Sequence, residues 1–185
     1  MMKEMLSKGF GQSPELAVMG FAIIPALLLS GCGTSGGAHH IYHPEVFVPD
    51  GQEHAFSLFA EGVQIYFWTG TNWSFRAPEA ELYDGDRQHV GKHYKGTNGP
   101  TWEATDGSRV VASVVTNANA YNAHSIPHLL LKAVSSSDEG TISRVTYIQR
   151  VDTLGGMAPA EPGKTVEQEA RVKYSAEYAF YRKTP

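Results

Sequence analysis

The stretch from His89 to Asp106 gathers chemistry-bearing residue types most densely: His89, His93, Tyr94, Trp102, Glu103 and Asp106. A histidine, a carboxylate and an aromatic ring held together can form a binding pocket or a general acid–base pair. Spacing restrains that reading. In a strand over Thr101 to Thr105, Trp102 and Ala104 point one way, and Thr101, Glu103 and Thr105 the other. The plainer alternative has Trp102 filling the core, Glu103 facing water or an arginine, and Asp106 making a turn. His89 and His93 fall on one strand face, about 13 Å apart. That is too far for one metal ion unless the chain turns at Gly91.

Other candidates are scattered. Arg150 lies mid-strand in Tyr147 to Val151, on a wet face or paired with an acid such as Glu103 or Glu79. The ligand pocket read from the sequence is therefore His93, Tyr94, Trp102, Glu103, Asp106 and Arg150. A glycosidase-like site needs two carboxylates about 5 to 9 Å apart. Glu61, Glu79, Glu81, Glu103 and Asp106 are available, and nothing in the sequence pairs them. Trp68 and Trp73 border one hairpin and could stack on a sugar or pack into the core. His39, His40 and His43, or His124 and His128 around Pro127, could meet a metal ion. A solvated linker and a plain loop are the plainer readings, so no metal is assigned. The G-x-S-x-G spacing at Gly33 to Gly37 (GTSGG) falls in the tether and makes no strand-to-helix elbow, and there is no H-E-x-x-H and no glycine-rich loop leading into a helix. Catalytic residues stay unassigned, and no cofactor is expected.

The elements that must position these residues are strands. Gly62 to Thr69 alternates Val63, Ile65 and Phe67 with Gln64, Tyr66 and Trp68. His54 to Ala60 precedes it. Trp73 to Ala77, Glu81 to Tyr83, Gln88 to Tyr94 and Thr101 to Thr105 follow. Asp106-Gly107 then reads as a tight two-residue turn into Ser108 to Thr116. Leu129 to Ser135, Ile142 to Thr153 and Lys173 to Arg182 complete the set. In the last, Val172, Tyr174, Ala176, Tyr178 and Phe180 form a buried row against a wet row of Lys173, Ser175 and Glu177. Helical periodicity is absent after the leader, apart from one possible short turn over Thr165 to Ala170. Nine or ten short strands, with 19 glycines and 10 prolines among 185 residues, predict a single all-β sandwich or barrel-like domain. A net charge of −4 with no basic run argues against nucleic acid as a partner.

The single cysteine, Cys32, excludes an internal disulfide. It ends an apolar segment, Leu16 to Leu29, preceded by Lys3 and Lys8. Fourteen residues make a helix of about 21 Å, short of a hydrocarbon core of about 30 Å. Pro25 weakens such a helix further. Export, not spanning, is the expectation. Leu29-Ser30-Gly31-Cys32 resembles the lipobox of bacterial lipoproteins. That resemblance implies cleavage before Cys32 and acylation of its thiol and amine by chains such as palmitate, leaving no thiol nucleophile. Glu4 and Glu15 depart from a purely basic start, which leaves Met2 or Met5 as alternative initiators. Gly33 in place of an aspartate implies the outer membrane, facing the periplasm or the cell surface. The chain then divides into a leader over 1–31, a tether over 32–45 and a β-rich domain over 46–182.

Five ordered motifs carry a further resemblance. They are Glu61 to Tyr66 (EGVQIY), Ala77 to Ala80 (APEA), Gly99 to Glu103 (GPTWE) with Asp106 to Ser108 (DGS), Ile126 to Ala133 (IPHLLLKA), and Thr146 to Val151 (TYIQRV) with Gly155 to Pro159 (GGMAP). Together they resemble the domain of unknown function 3455, found in bacteria and fungi, over roughly residues 46 to 182. The resemblance implies a secreted β-rich protein and brings no activity or catalytic residues. Two departures stand out. Thr97-Asn98 is extra between His93-Tyr94-Lys95-Gly96 and Gly99, and the cysteine that members tend to carry after the GGxAP segment is missing.

The leading expectation is thus a lipid-anchored domain of the cell envelope that binds a ligand or protein partner. An envelope hydrolase acting on polysaccharide through carboxylates near Glu79, Glu103 and Asp106 is the alternative. A purely structural envelope protein is the third.

Overall fold

The computed structural model describes residues 44–185, and its only helical element there is the 3-10 turn Pro44–Val46. Eight strands follow: β1 Gln52–Trp68, β2 Trp73–Tyr83, β3 His89–Gly96, β4 Gly99–Ala104, β5 Arg109–Ala118, β6 His128–Ser136, β7 Tyr147–Gly155 and β8 Glu169–Lys183. Each pairs antiparallel with the next, and β8 returns to β1, closing a barrel.

The all-β expectation holds, and the strand count comes down for a simple reason. The runs on either side of Glu61 are one strand, as are those on either side of Glu79. Long strands are what closure requires, because β1 must pair with β2 over Phe59 to Trp68 and with β8 over Gln52 to Phe67. Bulges between Ile65 and Tyr66, between Leu82 and Tyr83, and between Val151 and Leu154 bend the sheet toward closure. The strand read from Ile142 begins only at Tyr147; Ile142 and Val145 are buried in the preceding loop. Thr165 to Ala170 holds a turn at Val166-Glu167 and then enters β8.

Side chains fill the barrel by size. Trp102, Tyr178, Phe180, Leu82, Leu131 and Ile148 interleave with Ala60, Ala80, Ala104, Ala112 and Ala176. Large against small is how an eight-stranded barrel reaches interior packing density. Outside, Val46 packs with Ala118 and Leu130, flanked by Val48 and Tyr147. Gln149 Nε2 donates to the Val46 carbonyl at 2.5 Å and its Oε1 accepts from the Tyr181 hydroxyl at 2.6 Å. The segment entering the barrel is thereby pinned across its wall.

The outer wall is charged. Arg87 meets Glu61 at 3.1 Å, Lys92 meets Glu103 at 3.6 Å, and Arg171 joins Glu79 and Glu169. A lipid-facing barrel carries an apolar outer band; ion pairs occupy the wall on the β1–β4 and β8 side, while Val114, Val115, Val134 and Leu154 are exposed on β5 to β7. No described helix is long and apolar enough to cross a membrane. Glu177 corrects the expected wet row of β8: it is buried, opposite Phe59 on β1 and Val151 on β7.

Candidate functional site

Two of the strands that hold the apolar core continue into a polar layer. Inward positions follow the register from Phe180 and Tyr178 to Ala176 and Tyr174 on β8, and from Leu58 and Ala60 to Gln64 on β1. Tyr178 is the register partner of Arg150 on β7, and His93 on β3 is the partner of Trp102 on β4. His93, Trp102, Arg150, Tyr174, Tyr178 and Gln64 therefore share the barrel interior, toward the end where β1 leaves and β8 enters.

His93 is fully buried. Its Nδ1 lies 2.9 Å from the Thr101 carbonyl. A carbonyl only accepts, so Nδ1 carries the proton and Nε2 the lone pair. The ring stacks on Trp102 at 4.2 Å and tilts against Tyr178 at 5.1 Å. Burial pushes its pKa down to about 3; the Thr101 bond opposes this and the Arg150 charge adds to it. Burial also raises the Tyr174 and Tyr178 phenols well above their ordinary range, so both remain neutral donors.

Arg150 is half-buried. Its Nε and Nη2 donate to the Pro127 carbonyl at 3.1 and 2.9 Å. The acidic partners anticipated for it are elsewhere: Glu79 is bound by Arg171, and Glu103 by Tyr94 and Lys92, all on the outer wall. Among the described residues Arg150 forms no ion pair. The atoms around it are incompletely satisfied. Gln64 Nε2, Trp102 Nε1 and the hydroxyls of Tyr174 and Tyr178 are buried without a well-formed hydrogen bond, although Tyr174 lies near Tyr178 and Gln64, and Tyr178 near Arg150, closely enough for their polar groups to interact. Native interiors leave few such groups, and each carries a desolvation cost. Two loops shape this end. Tyr66 donates to the Gly156 carbonyl at 2.7 Å, Thr153 to the Ile126 carbonyl at 2.6 Å, and Trp73 Nε1 to the Glu161 carbonyl at 2.8 Å.

The candidate residues thus divide. His93, Trp102 and Arg150 come together inside. Tyr94 and Glu103 face out, where the Tyr94 hydroxyl donates to Glu103 at 2.6 Å and holds that carboxyl below its usual range. Asp106 sits in the β4–β5 turn. Its oxygens accept from the Ser108 amide and hydroxyl and from the Thr141 amide and hydroxyl, which depresses its pKa strongly. That turn has three residues, not two: the Ala104 amide reaches the Ser108 carbonyl, and Gly107 adopts φ +84°. Glu79, Glu103 and Asp106 each serve a cation or a turn; of the five carboxylates considered, Glu81 and Glu103 line one open groove of the outer wall, where His89 and Lys92 engage them.

His89 is not on the face of His93. The bulge at Leu82/Tyr83 sets Tyr83 opposite His89 and Leu82 opposite Gly91, turning His89 outward onto Glu81 at 2.5 Å. His128 is buried while His124 is exposed, and no three potential metal ligands converge among the described residues. Trp68 and Trp73 pair edge to face at 5.4 Å. Thr97-Asn98 makes the two-residue turn between Gly96 and Gly99. Cys32, His39, His40 and His43 lie outside the described residues.

Sequence reading missed Tyr174, Tyr178 and Gln64 as site residues. The signal was present: two tyrosines at alternate positions of a buried row, and a glutamine in phase with Leu58 and Ala60. The family model described as protein of unknown function (DUF3455) matches residues 49–182. No curated protein matches the chain.

Proposed function

We propose, from the premise that this chain belongs to the DUF3455 family, that it is a binding protein of the cell envelope, held by lipid on Cys32. One observation carries the binding reading. Polar atoms of Gln64, Trp102, Tyr174 and Tyr178 are buried in one end of the barrel without complete partners, beside the guanidinium of Arg150. A barrel built only as a scaffold gains nothing from a group of buried polar atoms left short of partners. An eight-stranded barrel is wide enough to hold one small ligand, and few, placed polar groups in an otherwise apolar enclosure are the usual makeup of a ligand site.

The tether rests on the leader. A basic start, a short apolar segment and Leu29-Ser30-Gly31-Cys32 support export and acylation. Two or more acyl chains hold a protein stably on a membrane, and the charged outer wall of the barrel then faces water. Cys32→Ser is expected to abolish fatty-acid labelling and release the protein from membranes; continued retention would count against the tether. The binding reading is tested by a thermal-shift screen of the purified full-length chain in detergent against a small-molecule library. Saturable stabilisation that is lost in Tyr178→Phe supports it. A screen with no stabilising compound sinks it.

A further inference from the structure

We propose that the interior cluster around Arg150 is a site for a small organic monocarboxylate, an inference that rests on the binding reading above and names the ligand class. The donor set carries it. Three side chains carry hydrogen-bond donors without a well-formed partner: Gln64 Nε2, Tyr174 Oη and Tyr178 Oη, all on residues at least nine-tenths buried and grouped beside Arg150. The Trp102 indole N–H is a fourth buried donor in the same interior. The one formal charge is positive. Arg150 stands opposite Tyr178 in the ladder, and no carboxylate among the described residues neutralises it.

What such an enclosure lacks is an acceptor with one negative charge. A carboxylate supplies two acceptor oxygens in a plane that matches a guanidinium fork. Arg150 is anchored for that role. Nε and Nη2 grip the Pro127 carbonyl, which fixes the plane of the group, and the guanidinium charge lies beside the Tyr178 and Tyr174 hydroxyls. One cation balances a monoanion, whereas phosphate would bring more charge than a single arginine offsets in a partly buried site. The rings of Tyr66, Tyr174 and Trp102 give the organic part of the ligand an apolar wall.

The test uses purified full-length protein and four probes: benzoate, acetate, inorganic phosphate, and benzamide as the neutral counterpart of benzoate. Binding is read by isothermal titration calorimetry, with melting temperature as a second measure. Benzoate should bind saturably and at least tenfold more tightly than benzamide or phosphate. Arg150→Gln should weaken it at least tenfold, and Tyr174→Phe several-fold. Arg150→Lys, which keeps the charge but not the fork, should bind benzoate weakly and serves if Arg150→Gln fails to fold. Equal binding of benzamide and benzoate, unchanged in the Arg150 variants, would overturn the carboxylate assignment and leave the binding reading standing. Tighter binding of phosphate would also overturn it. No binding of any probe would overturn the carboxylate assignment; the binding reading then falls only if the library screen is also empty.

Discussion

His93 and Trp102 stack across the β3–β4 ladder with ring centroids 4.2 Å apart and planes 14° from parallel. The pair places a titratable ring where no water reaches it, so the histidine stays neutral to about pH 3. The unfolded chain binds that proton near pH 6.5. Between these values the unfolded state holds more protons, and stability falls as pH falls.

This one group therefore contributes full stability above about pH 6.5 and loses about 1.4 kcal/mol per pH unit below it. His93→Phe keeps a ring against Trp102 and removes the titration. Urea denaturation of both proteins at pH 7 and pH 5 should show a smaller acid loss in the variant. Equal losses would place the acid sensitivity elsewhere.

β2 backbone lies close against β1 at Gly62, the register partner of Ala80. A Cβ there would overlap the Glu79 carbonyl oxygen and lie 2.5 Å from the Ala80 Cα, both of them backbone that cannot turn aside. Gly62→Ala should cost about 3 kcal/mol or more, at the upper end for overpacking. Gly85→Ala, with open space around its Cβ, should be nearly neutral. Chemical denaturation of the pair checks this.

Asp106 links two loops at the far end of the barrel. It binds Ser108 in its own turn and Thr141 between β6 and β7, and the Ser108 hydroxyl accepts from the Ile142 amide at 2.9 Å. Its folded pKa lies below the ordinary 3.8, so the clip is complete above about pH 4 and is lost as pH falls further. Asp106→Ala should speed hydrogen exchange at the Thr141 and Ile142 amides at pH 7 while leaving Tyr178 protected. Unchanged exchange at Thr141 would show that the loop holds itself.

Alternation made most of the barrel legible. Period two in β1, β5 and β8 and the Asp106-Gly107 turn signal locate strands and hairpins without any long-range information. Trp102 facing in and Glu103 facing out follow from the same rule. What alternation could not supply was the position of the bulges. One extra residue on β3, Val90 opposite the Leu82/Tyr83 step, reverses His89, and nothing local in that sequence marks it. Closure was also hidden: that β8 pairs with β1, and so brings Tyr178 and Tyr174 beside Gln64 and Arg150, is a contact across more than a hundred residues. Glu177 shows the limit from the other side, since burial of an outer row depends on what lies over the wall.

If the barrel interior is a ligand site, the hydroxyls of Tyr174 and Tyr178 serve the ligand and not the fold. Urea unfolding of the ligand-free Tyr174→Phe/Tyr178→Phe double variant measures this directly. Removing buried hydroxyls without complete partners should leave stability unchanged or raise it by about 1 kcal/mol for each. A loss of 1 kcal/mol or more per hydroxyl would mean that the barrel itself satisfies them, contradicting the site.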